Sequence, residues 1–346
     1  WGGSGRVLYY SRNLASAVPA IGAPKVWERI SPLDGDGITI GVMDSGIDYT
    51  HADFGGPGTS AAYNANDSAV IEPNSFPTAR VVAGTDFAGD AYDGSTSPKP
   101  DPDPLDCARQ VGGRISGGHG THVAGIAAGN GVLKDGSPYT GPYNASLDPN
   151  AFEVYPGVAP KASLHAIRVF GCDGGTTLTA SAYDYAIDPN GDDDPSDRLD
   201  VLNASLGSDF GLGGSNSTLI KNLVRGGTVF VAAAGNAGSS YFIAGQPAGV
   251  DQALSVAATS EGALPELTVT SPAGIAGSYA AVAGGISAPI PTDTPISGKL
   301  VRTQPGNGCS DYSNAAAISG NIALIDRGTC TFEDKLSRAA AAGAIR

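Results

Sequence analysis

Residues 38 to 48 of the chain read ITIGVMDSGID. A short apolar run rich in β-branched residues is typical of a buried strand. The run ends at Asp44, and Ser45 and Gly46 follow it with the composition of a turn. An acid in this position would lie at the carboxyl edge of a parallel sheet, where doubly wound folds have their binding and catalytic sites. By itself, the motif is equally consistent with an aspartate that only forms a turn or a cap.

Further apolar runs have the length of buried strands, and stretches rich in alanine and leucine lie between them. The runs are residues 163–169, 201–204, 228–233 and 253–258, and the helix-like stretches are residues 119–128, 178–187 and 217–224. This alternation predicts an α/β fold with a doubly wound, mostly parallel sheet and helices on both faces. The polar segments 55–80, 90–118 and 130–156 are predicted to be surface loops.

The charge balance argues against two classes of partner. The 346 residues contain 20 Lys and Arg against 34 Asp and Glu, a formal net charge of −14. Such a surface repels phosphate, so neither nucleic acid nor an anionic membrane is expected as a partner. No stretch approaches the roughly 20 apolar residues of a membrane span. The N-terminus has no signal-peptide pattern, and we expect any such peptide to have been removed.

The four cysteines show no metal-binding spacing and suit two disulfides. Cys309 and Cys330 bracket a compact segment and are predicted to pair. Cys107 and Cys172 are then left as the second pair. Four free, buried thiols are the alternative.

A second motif contains two histidines. Residues 117 to 129 read GGHGTHVAGIAAG. The small residues would let a helix pack closely on the sheet, with His119 at its start, where a carboxylate could tune the imidazole. A metal pair of His119 and His122 is one alternative, although the HExxH glutamate of zinc proteases is missing. His122 is interpreted as a core histidine.

A third motif ends in an asparagine. Residues 228 to 236 read TVFVAAAGN, an apolar strand followed by Gly235 and Asn236. The side-chain amide of an asparagine in this position can donate to a developing oxyanion. As an isolated feature, it is only a turn signal.

In this order, the three motifs resemble those of the subtilisin-like serine proteases, over roughly residues 20 to 260. The resemblance implies that Asp44 orients His119, that His119 acts as general base and then general acid, and that Asn236 stabilises the oxyanion. It also implies a secreted, extracellular serine endopeptidase that cleaves proteins and peptides through an acyl-enzyme.

The resemblance extends to a substrate groove. Residues 201–207, VLNASLG, resemble the edge strand that binds the peptide backbone. The residues implied are Ser205, Leu206 and Gly207 on this edge, Ala233, Ala234 and Gly235 on the opposite pocket wall, and Gly245 at the pocket floor. A glycine floor leaves room for a large apolar side chain.

The nucleophilic serine is the part of the family pattern that is missing. The family's Gly-Thr-Ser-x-Ala block does not follow Asn236; Gly58–Ala62 matches the letters but lies in a polar segment with no apolar helix behind it. Residues 264–346 resemble the start of a protease-associated (PA) domain, which many subtilases insert before the serine block. The expected division is therefore 1–32 as an N-terminal extension, 33–263 as the first part of the catalytic domain and 264–346 as a partial PA domain. The serine is expected beyond Arg346, on a C-terminal fragment of the same precursor.

Calcium is the one cofactor that the resemblance implies, in a structural role and not for the chemistry. Asp53, nine residues after Asp44, resembles a calcium ligand of the family. The acid-rich stretches 101–106 and 192–194 do not have EF-hand spacing. Solvated surface acids are the alternative interpretation.

Two rival functions remain open on the sequence alone. One is a non-catalytic, subtilase-like binding protein that has lost its serine. The other is metal-dependent hydrolysis through His119, His122 and a carboxylate.

Overall fold

The computed structural model describes most of the chain. The described residues are 7–29, 33–107, 109–111, 114–116, 118–210, 216–238, 241–258, 266–280, 296–326, 330 and 332–345. The chain forms two compact units, Trp1–Glu261 and Gly262–Arg346. The boundary expected between residues 263 and 264 lies outside the described residues.

The first unit alternates strands and helices along the chain. Its helices are α1 (Val7–Ala20), α2 (Ala23–Trp27), α3 (Ser60–Asn64), α4 (His119–Ala128), α5 (Thr179–Ile187) and α6 (Ser217–Arg225). Its strands are β1 (Thr39–Asp44), β2 (Val81–Asp86), β3 (Arg109–Val111), β4 (Arg114–Ser116), β5 (Val132–Leu133), β6 (Phe152–Val154), β7 (Ser163–Arg168), β8 (Val201–Ala204), β9 (Val229–Ala233) and β10 (Leu254–Val256). The predicted strands and helices of this unit are all present, with ends that differ by at most two residues.

Six of these strands form one parallel sheet in the order β10-β9-β8-β1-β7-β2. Strand β1 lies inside the sheet, with Thr39 opposite Ser163 on β7 and Ile40 opposite Val201 on β8. Because the strands are parallel, the residues that follow β1, β8 and β9 lie along a single edge. The predicted parallel α/β architecture is confirmed.

Both faces of the sheet are covered. Val42 and Met43 are adjacent on β1 and fully buried, yet they belong to two different apolar clusters, as the two-residue period of a strand requires. Val42 packs in the cluster that includes Ala124 of α4, and Met43 packs in the cluster that includes Tyr183 of α5. Full burial of a side chain of this size contributes about 1.5 to 3 kcal/mol.

The predicted N-terminal extension packs against segment 130–156, which was predicted to be a surface loop. Helices α1 and α2 bury Leu14, Val18 and Trp27, and these side chains share a cluster with Phe152 and Tyr155 from segment 130–156. That segment also contains the β5–β6 hairpin. Its interpretation as a surface loop was wrong, because its aromatic residues are scattered among turn residues and show no period.

One sheet strand was not predicted. Strand β2 pairs with β7 at the edge of the sheet and contains Gly84. A Cβ atom on Gly84 would collide with the carbonyl oxygen of Ala166 on β7. The glycine therefore permits close backbone approach, although in a sequence it weakens a strand prediction.

The second unit has its own small core. Its elements are β11 (Glu266–Val269), β12 (Gly277–Ala280), β13 (Leu300–Arg302), α7 (Ala315–Ile318), β14 (Ile322–Leu324) and α8 (Phe332–Ala341). Strands β11 and β12 form an antiparallel hairpin, and β13 pairs with β14 in parallel. Tyr312, Ile318 and Ala339 form the buried cluster. Of the segment that resembles a PA domain, residues 281–295, 327–329 and 331 are among those outside the described part.

Both predicted disulfides are confirmed. Cys107 pairs with Cys172 at a Cα–Cα distance of 5.4 Å, and Cys309 pairs with Cys330 at 5.7 Å. The alternative of four free thiols is wrong. Among the described residues, no helix has the length and apolar character needed to cross a membrane.

Candidate active site

The structure brings Asp44 and His119 into contact. Asp44 is the last residue of β1, and His119 is the first residue of α4. His119 Nδ1 lies 2.7 Å from Asp44 Oδ1, a hydrogen-bond distance. The same oxygen accepts a hydrogen bond from the backbone N–H of Ser45 at 2.8 Å. Two motifs separated by 75 positions thus meet at the carboxyl edge of the sheet.

Close contact between two backbones makes this meeting possible. A Cβ atom on Gly120 would collide with the carbonyl oxygen of Gly46. The N–H of Gly120 also donates to Ser45 Oγ at 2.9 Å. Gly120 therefore lets the start of α4 lie directly against the turn that follows β1. Gly117, the first residue of the histidine motif, lies outside the described residues.

The imidazole of His119 is poised to accept a proton. The hydrogen bond to Asp44 raises the pKa of His119 above its ordinary value, against the opposing effect of burial, and the charges of Asp44 and Asp106 act in the same upward direction. An ionised carboxylate can only accept, so Nδ1 of His119 is the nitrogen that carries the hydrogen. The lone pair of Nε2 is then available to a substrate or a nucleophile.

The interpretation of His122 as a core histidine was wrong, since this side chain is exposed. It is His165, in β7, that is buried, with Nδ1 3.1 Å from the hydroxyl of Tyr185. Burial lowers the pKa of His165 to about 4. In the described part of the chain, no group of three His, Cys, Asp or Glu ligands contains His119 or His122, so nothing there favours the metal alternative.

The residues predicted to form the substrate groove and the oxyanion hole follow β8 and β9. Ser205 to Gly207 come directly after β8, and Ala233 is the last residue of β9. Ala234 donates its backbone N–H to the carbonyl of Val256, and Asn236 is exposed in the turn that follows. These strands are neighbours in the sheet, so the segments lie on the edge that also carries Asp44. The position agrees with the predicted roles, which remain predictions.

Gly245 lies against the chain that continues from Gly207. The backbone N–H of Ser208 donates to the carbonyl of Gln246 at 2.9 Å, and a Cβ atom on Gly245 would collide with the carbonyl oxygen of Ser208. Gly245 is therefore required for this backbone pairing. In this structure Gly245 is needed for close contact between two backbones, whereas the sequence prediction gave it the role of leaving space at the floor of the pocket.

The Gly58–Ala62 block does not form a buried helix start. Thr59 caps the five-residue helix α3 by accepting a hydrogen bond from the N–H of Ala62, and no residue of that helix is buried. This observation agrees with the expectation that Ser60 is not the nucleophile.

One carboxylate oxygen of Asp53, the predicted calcium ligand, is bonded within the protein. Calcium takes about six to eight oxygen ligands, commonly with several carboxylates. Asp53 Oδ1 accepts a hydrogen bond from the backbone N–H of Gly131 at 2.7 Å, and burial raises the pKa of Asp53 to about 7. Within the described ranges, no group of three His, Cys, Asp or Glu side chains includes Asp53, and its role as a calcium ligand remains a prediction.

The acid-rich stretch 101–106 is not a solvated surface. Asp103 is fully buried and Asp106 is 1% exposed, whereas Asp192 to Asp194 are exposed as expected. Asp106 accepts hydrogen bonds from the backbone N–H groups of Gly118 and Thr121, at the start of α4. This contact with the helix that carries His119 was not predicted. The sequence does contain a sign that these acids are buried, because the apolar residues Pro102, Pro104 and Leu105 lie between them.

Comparison with known proteins agrees with this geometry. The sequence model of the subtilase family matches residues 35–328. The minor extracellular protease Vpr of Bacillus subtilis (strain 168) is 28% identical over 339 residues, which cover 97% of this chain and 34% of that protein. A thermophilic serine proteinase of Bacillus sp. (strain AK1) is 29% identical over 231 residues, or 65% of this chain and 39% of that protein. Subtilisin DY of Bacillus licheniformis is 30% identical over 257 residues, or 72% of this chain and 65% of that protein. This chain thus spans between 34% and 65% of the length of these three relatives.

Proposed function

This chain belongs to the subtilase family, and we propose that it is the N-terminal part of a secreted serine endopeptidase that hydrolyses peptide bonds in proteins. The observation that carries the proposal is the 2.7 Å hydrogen bond between His119 Nδ1 and Asp44 Oδ1 at the carboxyl edge of the parallel sheet. The relatives named as extracellular or serine proteases support the same reaction and location.

In the proposed reaction, His119 moves a proton in both halves of the cycle. Its Nε2 accepts the proton of the serine hydroxyl while the serine oxygen attacks the scissile carbonyl carbon. The imidazolium then gives this proton to the leaving amine, and the C–N bond breaks to leave an acyl-enzyme. Water then attacks the acyl carbon while Nε2 of His119 accepts a proton from it. The imidazolium returns this proton to the serine oxygen as the ester bond breaks, which releases the carboxylic acid and restores the serine. Asp44 stabilises the imidazolium and keeps the hydrogen of the neutral ring on Nδ1.

Asn236 and the groove segments would bind the reacting peptide. The side-chain amide of Asn236 would donate a hydrogen bond to the oxyanion of each tetrahedral intermediate. Ser205 to Gly207 would pair with the peptide backbone as an added strand. Ala233 to Gly235 and Gly245 would surround the side chain before the scissile bond.

The nucleophile belongs to another segment in this proposal. The sequence after Asn236 contains no Gly-Thr-Ser-x-Ala block, and residues 264–346 resemble the start of a PA domain. We place the serine beyond that domain, on a C-terminal segment or fragment of the same precursor.

Labelling of the full-length secreted protein with a fluorescent fluorophosphonate tests this function. The expected result is one labelled peptide that contains Gly-Thr-Ser-x-Ala and lies outside residues 1–346. A His119→Ala variant is the matched control and should lose the label, because the serine loses its base. A folded protein that takes no label would instead favour the non-catalytic binding protein. A label on Ser60 would move the nucleophile to the Gly58–Ala62 block.

A further inference from the structure

The start of helix α4 has no cap of its own. The residue before the helix, Gly118, has a φ of 80° and no side chain that could accept a hydrogen bond. The first N–H groups of a helix have no partner within the helix and usually bond to a side-chain oxygen of the N-cap residue. Here Asp106, which lies outside the helix and 12 positions before Gly118, supplies that oxygen.

Asp106 bonds to this helix start at three points. Its Oδ1 accepts from the N–H of Gly118 at 3.0 Å, and its Oδ2 accepts from the N–H of Thr121 at 2.9 Å. The Thr121 hydroxyl also donates to Oδ2, at 2.6 Å. The N–H of Gly120, one of the two between these positions, donates to Ser45 Oγ. The carboxylate therefore does for α4 what an N-cap side chain normally does.

The position of the imidazole depends on this helix start. The side chain of His119 is 59% exposed, so packing around the ring is sparse, and its hydrogen bond to Asp44 is the contact that orients it. The placement of Nδ1 against Asp44 is therefore set largely by the backbone from Gly118 to Thr121. A shift of about 1 Å in a reacting group can cost on the order of 100-fold in rate.

Asp106 is itself held in place on both sides. The preceding residue, Leu105, accepts a hydrogen bond at its carbonyl from Arg168 Nη1 at 3.1 Å, and Arg168 is fully buried. The following residue, Cys107, is in the disulfide with Cys172. Asp106 is 1% exposed between these two anchors.

We propose that Asp106 is the positioning residue for His119, since it caps α4 and fixes the helix end that carries the imidazole. Its negative charge also lies at the positive end of the helix dipole, which is a favourable arrangement. The inference rests on the proposed function, because it assigns Asp106 to the same site.

The electrostatic consequence has a definite sign. The titratable groups that face His119 are Asp44 from β1, Asp106 from the segment before β3, and His122 from α4. The Asp44 hydrogen bond is the largest influence that raises the pKa of His119, and the charge of Asp106 adds to it. Burial raises the pKa of Asp106 itself to about 6, so this carboxylate is charged at neutral pH.

The test is Asp106→Asn in the full-length protein, with Asp103→Asn as the matched control. Asp103 lies in the same segment and is buried, but it bonds to Tyr49 and the N–H of Leu105 and not to α4.

The pKa of His119 is measured by NMR titration of labelled imidazoles, assigned with His119→Gln. We expect Asp106→Asn to lower that pKa, and to lower kcat/KM by about 10- to 100-fold with little change in KM. The acid limb of the kcat/KM profile should move to lower pH. Asp103→Asn should change none of these values.

A purely structural Asp106 would lower the melting temperature without moving the titration of His119. If His119 titrates alike in Asp106→Asn, Asp103→Asn and the unchanged protein, the inference is wrong. Should Asp106→Asn not fold, Thr121→Val removes the hydroxyl that donates to Asp106 and also accepts from the N–H of Asp48 at 2.8 Å, while Thr121→Ser keeps both bonds as its control. Thr121→Val should move the His119 pKa in the same downward direction by a smaller amount, and no movement would also overturn the inference.

The titration separates this inference from the proposed function, because it needs no hydrolysis. A folded protein without peptidase activity would defeat the proposed function and leave the titration result standing. A normal peptidase in which Asp106→Asn leaves both the His119 pKa and kcat/KM unchanged would defeat only the role of Asp106.

Discussion

Asp44 and His119 are joined by a 2.7 Å hydrogen bond, yet the side chain of Asp44 is 1% exposed and that of His119 is 59% exposed. The carboxylate is thus shielded from water while the ring that it orients faces the solvent. Asp44 Oδ2 is buried and has no hydrogen-bond partner among the described residues. A carboxylate that is so poorly solvated has most to gain from a positive charge on the adjacent ring. This arrangement favours the imidazolium that forms when His119 takes a proton.

Asp44→Asn should therefore remove most of the activity without removing substrate binding. An asparagine can present its N–H to the ring, and His119 would then carry its hydrogen on Nε2, where it cannot accept a proton. By analogy with other triads, kcat should fall about 10⁴-fold. Steady-state kinetics on a peptide substrate measure this loss, and KM should change little. A fall in activity that comes from KM alone would contradict the assigned role.

Asn236→Ala tests the predicted oxyanion donor. Loss of such a donor lowers kcat by about 10²- to 10³-fold, and the effect on KM is small because the bond is made mainly in the transition state. Asn236 is exposed, so the substitution should leave the melting temperature nearly unchanged. A variant with normal kcat would show that another group stabilises the oxyanion.

The elements that carry Asp44 and His119 could be predicted because their patterns are local. The apolar run that ends at Asp44 and the small-residue helix that starts at His119 are both continuous in sequence. The role of Asp106 could not be predicted in this way. Its partners Gly118 and Thr121 are 12 and 15 positions away, and the hydrogen bonds that a carboxylate accepts from backbone N–H groups of another element follow no sequence period.

The N-terminal helices show a second limit of sequence reasoning. Leu14 and Val18 are four residues apart, which suits one face of a helix, but Pro19 and the small residues around them weaken the pattern. Their burial depends on tertiary contacts with Phe152 and Tyr155, more than 130 positions away. Such packing is decided by the fold and cannot be recognised from either segment alone.

Gly120→Ala should separate α4 from β1. The added methyl group would overlap the backbone carbonyl oxygen of Gly46, and a backbone atom cannot move aside as a flexible side chain can. Overpacking of this kind typically costs about 1 to 3 kcal/mol. We expect a lower melting temperature and a loss of kcat/KM, since the displaced helix takes His119 away from Asp44.

Gly175→Ala is the matched control for that substitution. A Cβ atom on Gly175 would meet no atom within 4 Å, and its backbone is not in the left-handed region. Its melting temperature and kcat/KM should stay close to those of the unchanged protein. If the two variants behave alike, close packing at Gly120 does not hold the helix in place.

Asp103→Asn should make the stability of the first unit less dependent on pH. Burial raises the pKa of Asp103 from 3.8 to about 7, in spite of the hydrogen bond from the Tyr49 hydroxyl. In the unfolded chain this carboxyl loses its proton near pH 4, whereas in the folded protein it keeps the proton up to about pH 7. Its contribution to the free energy of unfolding is thus fully present below about pH 4 and is lost as the pH rises through about 7.

Urea unfolding of the Asp103→Asn variant at pH 4, 6 and 8 measures this effect. An asparagine stays neutral at every pH, so the variant should gain stability relative to the unchanged protein as the pH rises from 4 to 8. The exposed Asp251 supplies a control, because Asp251→Asn removes the same charge without a buried group. If the stability difference between Asp103→Asn and the unchanged protein is the same at all three pH values, Asp103 is already ionised in the folded protein at pH 4, and its burial does not hold the proton.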